Sequence, residues 1–289
     1  MITEKPVTFG RSGGLLGIVC GPMNSVSALP TAIFINAGII HRVGPNRLYV
    51  NLARAMARAG VRSLRFDLAG IGDSATPRDE RGSTDDIVYR DIADAIDLAS
   101  SDNPTGVVLI GLCSGADYGF NAAAADPRVR AAVLVDPNVH LTTGFYVRHW
   151  WRAARSSKTW RLLLTGEHPL ARRLARLSGV RPRERTPFLA PTSLPERETM
   201  RAQLDGLLSR GCRLFYVFTG GLPYRYNHER QFETSFPGLR DGGRLSLEYH
   251  PDWDHTLGGP DAQDKLADSL VGWYTRTFGG ADITTARAG

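Results

Sequence analysis

The sequence predicts an α/β protein with a mostly parallel central sheet and helices on both faces. Short apolar runs rich in β-branched residues alternate with helical patterns, and the alternation repeats along the first part of the chain. The early glycines, GRSGGLLG at 10–17, neither follow a strand and open a helix nor lead into Gly-Lys-Ser/Thr. They read as a hairpin turn rather than a dinucleotide- or phosphate-binding loop.

Each element then follows in order. TAIFIN (31–36) reads as a buried strand, NRLYVNLARAMARAG (46–60) as a helix and VRSLRF (61–66) as the next strand. TDDIVYRDIADAIDLA (84–99) is a crossover helix: Ser83 or Thr84 caps it, acids fill its first turn, and Ile87, Ile92, Ala95, Ile96 and Ala99 recur at helical spacing. GVVLIG (106–111) and RAAVLVD (130–136) are further strands. The rhythm then stops for a long Arg- and Trp-bearing segment. It resumes with GCRLFYVFTG (211–220), RLSLEYH (244–250) and a last helix from about Asp261 to Phe278, and His228 falls in a helical stretch between these strands. The interruption, at about 138–200, reads as a helical cap inserted into a single domain spanning 1–289. Such a cap would lie over the carboxyl ends of the strands, where open parallel sheets place their ligands.

Composition narrows the function. The chain has 289 residues, 42% apolar and 22% charged, the balance of an ordinary globular protein. Neither a signal peptide nor a run near the roughly 18 apolar residues of a membrane helix is visible, which predicts a cytoplasmic protein. Cys20, Cys113 and Cys212 are odd in number and lack C-x-x-C spacing, so neither a disulfide framework nor a metal site is indicated. Nothing calls for a cofactor. The net charge of +6 is uneven, because residues 141–187 hold eleven Lys or Arg against only Glu167 and Glu184. A basic segment in an otherwise near-neutral chain points away from nucleic acid and toward a local anionic partner: a phosphate-bearing substrate, an acidic carrier protein or a membrane surface. Trp150, Trp151 and Trp160 lie among those arginines, in a pattern that could roof a substrate pocket or rest on an anionic membrane.

GLCSGAD (111–117) holds a cysteine beside a serine. A nucleophile on a sharp strand-to-helix turn needs small residues two positions before and two after it. Cys113 is flanked in this way by Gly111 and Gly115, whereas Ser114 is flanked by Leu112 and Ala116. Cys113 therefore occupies the nucleophile position, and the Ser114 backbone N–H becomes a candidate oxyanion donor. The following helix aims its N-terminus at Cys113, which favours the thiolate.

These residues carry a resemblance. The chain is similar to α/β-hydrolases over nearly its whole length, with a G-x-C-x-G elbow in place of G-x-S-x-G. NAGIIHRVGPNR (36–47), FDLAGIGDS (66–74) and GLCSGA resemble hydrolases associated with exosortase-type gene clusters and, more loosely, cysteine-nucleophile members such as dienelactone hydrolases. The resemblance implies that the loop after TAIFIN supplies the second oxyanion donor, the backbone N–H of Ile39, and that Gly38 lets the backbone approach the substrate. His41 and Arg42 would fix the loop or meet an anionic group, and Asp67 and Asp73 would tie down their own loop. The family order of nucleophile, acid and histidine selects His255, in DWDHTLGG, as the base. The acid departs from the pattern, because no Asp follows VFTG. Asp136 at the end of RAAVLVD and Glu229 are the candidates, and a thiolate–imidazolium pair could also work without an acid.

The chemistry implied is acyl transfer on an ester or thioester through an acyl-cysteine, by a hydrolase or an acyltransferase in a biosynthetic pathway. Acyl-coenzyme A and an acyl carrier protein are the expected donors. A non-catalytic protein binding an acyl ligand or carrier on the same fold is the alternative. Carbon–halogen hydrolysis requires a carboxylate nucleophile, which Cys113 is not.

Overall fold

A computed structural model of the chain describes residues 1–11, 13–23, 28–76, 83–155 and 194–279. Eight strands form one sheet: β1 (Ile2–Phe9), β2 (Leu15–Pro22), β3 (Thr31–Ile35), β4 (Ser63–Phe66), β5 (Val107–Leu112), β6 (Val129–Val135), β7 (Arg213–Thr219) and β8 (Leu245–His250). Their spatial order is β1-β2-β4-β3-β5-β6-β7-β8. β1 and β2 form an antiparallel hairpin, β2 meets β4 antiparallel, and every pairing from β4 through β3 to β8 is parallel. The hairpin turn read from the early glycines is present, with Gly10 and Gly13 at positive φ (85° and 64°) where a side chain would strain the backbone.

The helices are α1 (Leu48–Arg58), α2 (Thr84–Asp102), α3 (Ser114–Ala125), α4 (Thr143–Arg155), α5 (Arg197–Ser209), the short α6 (Gln231–Ser235) and α7 (Pro260–Phe278). Alternation along the strands explains why both sheet faces are covered. In β5, Val107 and Leu109 pack with α2, α3 and α5, while Val108, Ile110 and Leu112 pack with α1 and α7. β6 and β7 divide in the same way, so central strands that read as continuous apolar runs feed two separate cores.

The start of α2 follows its sequence. Ser83 Oγ accepts the Asp86 N–H while the Asp86 carboxylate accepts the Ser83 N–H, a reciprocal cap that satisfies two donors. His228 departs from expectation, since it lies in a bend ahead of α6 and not in a helix. The Gly-Leu-Pro stretch upstream of it breaks the helical pattern before Gln231 restores it.

Of the expected insertion, the described residues hold α4 and the approach to α5. Tyr146, Val147, Trp150 and Trp151 are exposed on α4. Residues 156–193, including Trp160, Glu167, His168 and Glu184, lie outside the described residues. Among the described residues no helix is long and apolar enough to cross a membrane.

Candidate active site

The site is built at the carboxyl ends of β5, β6 and β7. Cys113 sits between β5 and α3 with φ 57° and ψ −122°, a conformation that non-glycine residues rarely hold. Neighbouring glycines make this possible. A Cβ on Gly111 would lie 2.2 Å from the Gly115 carbonyl group, and one on Gly115 would lie 2.6 Å from the Ile35 and Asn36 carbonyl oxygens. Both flanks of the turn therefore exclude side chains, which is the steric rule that singled out Cys113. Tyr49, fully buried on α1, braces the turn: its hydroxyl donates to Ile35 O (2.9 Å) and accepts from Leu112 N (3.1 Å). Sequence reasoning missed Tyr49, because an aromatic in an amphipathic helix looks like core until its hydroxyl is placed.

His255 lies on the loop between β8 and α7. Its Nδ1 is 2.8 Å from Asp136 Oδ2, and its imidazole is electrostatically coupled to the Cys113 thiol. Asp136 follows β6 with φ 48° and is 2% exposed. Thr219 at the end of β7 holds its carboxylate, donating its backbone N–H to Oδ1 (2.7 Å) and its hydroxyl to Oδ2 (2.7 Å). Cys113, His255 and Asp136 are thus brought together, His255 hydrogen-bonded to Asp136 and coupled to the thiol, each member delivered by a different strand end. Glu229 is not part of it: its side chain is exposed and its backbone oxygen accepts from the Tyr226 hydroxyl. Asp254 is occupied in the turn beside His255, accepting from Thr256 N, Thr256 Oγ1 and Gly258 N.

The geometry also explains the missing acid after β7. A Cβ on Gly220 would lie 1.8 Å from Pro251 O, and one on Gly221 would lie 2.1 Å from His255 N. The β7 loop packs backbone to backbone against the histidine loop, so no carboxylate side chain fits at either glycine. The neighbouring strand supplies the carboxylate instead.

Electrostatics follow from this arrangement. Burial alone would push the His255 imidazole down, but hydrogen bonds to Asp136 and Cys113, with their charges, override it and raise it to about 9. Burial would likewise push the Cys113 thiol up, and it is overridden by the His255 hydrogen bond and charge, the Arg225 charge and the Ser114 N–H. The thiol is left below its ordinary value. The two shifts are coupled, each charged form favouring the other.

The loop after β3 approaches the elbow through Gly38, whose N–H donates to Ser114 Oγ (2.8 Å). The Ile39 side chain is exposed, and among the described residues no acceptor pairs with its N–H. His41 is exposed and its carbonyl closes a turn with Gly44 N. Arg42 is committed to the loop. Its backbone N–H donates to Asp67 Oδ1 (2.5 Å), and its guanidinium pairs with Asp67 and, at 2.6 Å, with Asp73. The expected bracing role of Asp67 and Asp73 is therefore met through Arg42, and two carboxylates already occupy its charge. A different arginine reaches the site: Arg225, in the loop after β7, places Nη1 3.8 Å from Cys113 Sγ. Nothing in its surroundings in the sequence, PYRYN, marks it as a site residue.

Comparison with known proteins agrees with this fold. The family Hydrolase_4, described as serine aminopeptidase S33, matches residues 32–183, just over half of the chain. No curated protein matches. Among solved structures, an esterase from Pyrococcus furiosus is 12% identical over 96% of this chain and 92% of its own, with a TM-score of 0.59. The esterase domain of a Rhodothermus marinus protein is 15% identical, covering 96% of this chain and 99% of its own, with a TM-score of 0.57. A thioesterase domain from the curacin biosynthetic pathway is 16% identical, covering 94% and 99%, with a TM-score of 0.54. At these identities the likeness is one of fold.

Proposed function

The chain belongs to the Hydrolase_4 (serine aminopeptidase, S33) family of α/β hydrolases, and from that premise we propose that it is a cysteine-dependent acyl-transfer enzyme acting on thioesters or esters. It is a hydrolase of the α/β type. The finer reading, that the reaction passes through an acyl-Cys113 intermediate, rests on one observation. The residue on the strained turn is a cysteine whose thiol is lowered by a histidine that is itself held by a buried carboxylate.

The proposed steps follow from the geometry. The Cys113 thiolate attacks the carbonyl carbon, and the carbonyl electron pair moves onto oxygen, held by the Ser114 and Ile39 backbone N–H groups. The oxyanion collapses, the bond to the leaving thiol or alcohol breaks, and the leaving group takes the imidazolium proton of His255. His255 then accepts a proton from water or another acceptor, which attacks the acyl-cysteine and releases Cys113. Asp136 fixes the imidazole through Nδ1, which leaves Nε2 to carry the proton, and stabilises the charged ring.

Acyl-coenzyme A or an acyl carrier protein is our proposed donor, in keeping with the basic segment, and a biosynthetic, cytoplasmic setting is part of the same proposal. Contact of the basic, Trp-bearing segment with anionic membrane is a separate proposal. Co-sedimentation with anionic vesicles that is lost at high salt would support it, and absence of binding would refute it. A purely ligand-binding role drew its support from the missing acid, and Asp136 against His255 weakens that ground.

Hydrolysis of butyryl and longer acyl N-acetylcysteamine thioesters and of matching p-nitrophenyl esters tests the reading. The wild-type chain should consume at least one series, and Cys113→Ala and His255→Ala should each lose roughly 10²-fold or more. Equal rates in wild type and Cys113→Ala would refute it.

A further inference from the structure

The arginine at the sulfur is unlike the others near the site. Arg42 is neutralised by Asp67 and Asp73, whereas Arg225 pairs with no carboxylate among the described residues. Its position is nevertheless built. Buried Gln231 donates Nε2 to the Arg225 carbonyl (2.7 Å), Arg225 N donates to Leu222 O (2.9 Å), and the next residue, Tyr226, stacks on Phe218 with ring centroids 3.7 Å apart. The loop is anchored on both sides of Arg225, and the guanidinium is delivered to the nucleophile.

Accepting the acyl-cysteine reading, the charges at the site change during the reaction. In the resting site Arg225 faces the thiolate. On acylation the Sγ–C bond forms, the C–S or C–O bond to the leaving group breaks, and the leaving group departs with the His255 proton. The sulfur is then neutral, Asp136 remains engaged by His255 and Thr219, and Arg225 keeps its charge without an anion. We propose that the substrate supplies that anion: Arg225 selects acyl groups that carry a carboxylate within a few bonds of the reacting carbonyl. The phosphate of a phosphopantetheine arm lies a full arm's length from its thioester carbon, so it cannot be the group that meets a cation in contact with the nucleophile. A planar guanidinium also matches a carboxylate with two parallel hydrogen bonds.

Matched thioesters test this. Succinyl and butyryl N-acetylcysteamine have the same acyl chain length, differ by the terminal carboxylate and carry no phosphate, and the corresponding coenzyme A thioesters restore the phosphates. Wild type should favour succinyl over butyryl in kcat/KM by about tenfold or more, the range of a hydrogen-bonded charge. The preference should hold in both thiol series. Arg225→Gln should abolish it, with the loss mainly in the KM for the succinyl donor, and Arg225→Lys should restore part of it. Butyryl turnover will also change in Arg225→Gln because the thiolate loses a neighbouring cation, so the succinyl-to-butyryl ratio is the measure. A ratio unchanged by Arg225→Gln, with both thioesters still consumed, would overturn the proposal and leave Arg225 as a thiolate partner only. A preference that appears solely with coenzyme A donors would overturn it in favour of phosphate recognition. Absence of any acyl adduct on wild-type Cys113 would overturn the underlying acyl-transfer reading as well.

Discussion

Single residues decide most of the site, and several can be tested one at a time. Asp136→Asn keeps the shape but removes the charge that holds the His255 imidazolium. It should lower thioester hydrolysis by roughly 10²-fold or more, within the span of general acid–base effects, and slow iodoacetamide labelling of Cys113 at neutral pH. Tyr49→Phe leaves the Leu112 N–H and Ile35 carbonyl beneath the elbow without their partner. Chemical denaturation should show a loss of about 1–3 kcal/mol, the usual penalty for unsatisfied buried groups. Gly115→Ala forces a Cβ against two backbone oxygens that cannot swing aside. It should destabilise the protein by about 1–3 kcal/mol and reduce Cys113 labelling, because relief requires the turn itself to move.

At the scale of elements, what the sequence disclosed followed from periodicity and steric exclusion. Every strand expected from an apolar run is present to within two residues, and the central β3, β5, β6 and β7 are the plainest, because burial on both faces leaves such a parallel strand few polar positions to disguise it. The elbow was legible for the same kind of reason, since two glycines at fixed offsets record a backbone contact directly. The partner of His255 was only half legible. Asp-Pro at a strand end is also an ordinary turn, and what distinguishes Asp136 is the approach of Thr219 and His255 from two other strand ends, which no local pattern encodes. Arg225 was invisible because its loop is positioned by Gln231 and by stacking on Phe218 from β7. The α2 cap, by contrast, is wholly local, and Ser83→Ala should cost about 1 kcal/mol in thermal or chemical unfolding.

For the whole molecule, the coupled Cys113–His255 pair ties reactivity and stability to pH. The His255 imidazole is raised from 6.5 to about 9, so its stabilising contribution is complete below about 6.5 and is lost as pH rises through about 9. The lowered thiol works in the opposite sense: its contribution is present above the ordinary thiol value of 9.0 and is lost as pH falls through its lowered value. The reactive pair therefore occupies the window between the lowered thiol value and about 9. Thioester turnover should fall above that upper limit, where His255 no longer holds the proton for the leaving group, and in His255→Ala this alkaline limb should disappear from whatever activity remains.

The central claim is that this α/β hydrolase passes its acyl group through Cys113. Intact-protein mass spectra taken after brief exposure to a panel of acyl-coenzyme A and acyl-pantetheine thioesters test it most directly, with Cys113→Ala and Ser114→Ala run alongside. The account predicts an adduct of one acyl mass on the native chain and on Ser114→Ala, and none on Cys113→Ala. An adduct that persists in Cys113→Ala, or no adduct and no thioester consumption with any donor, would contradict it.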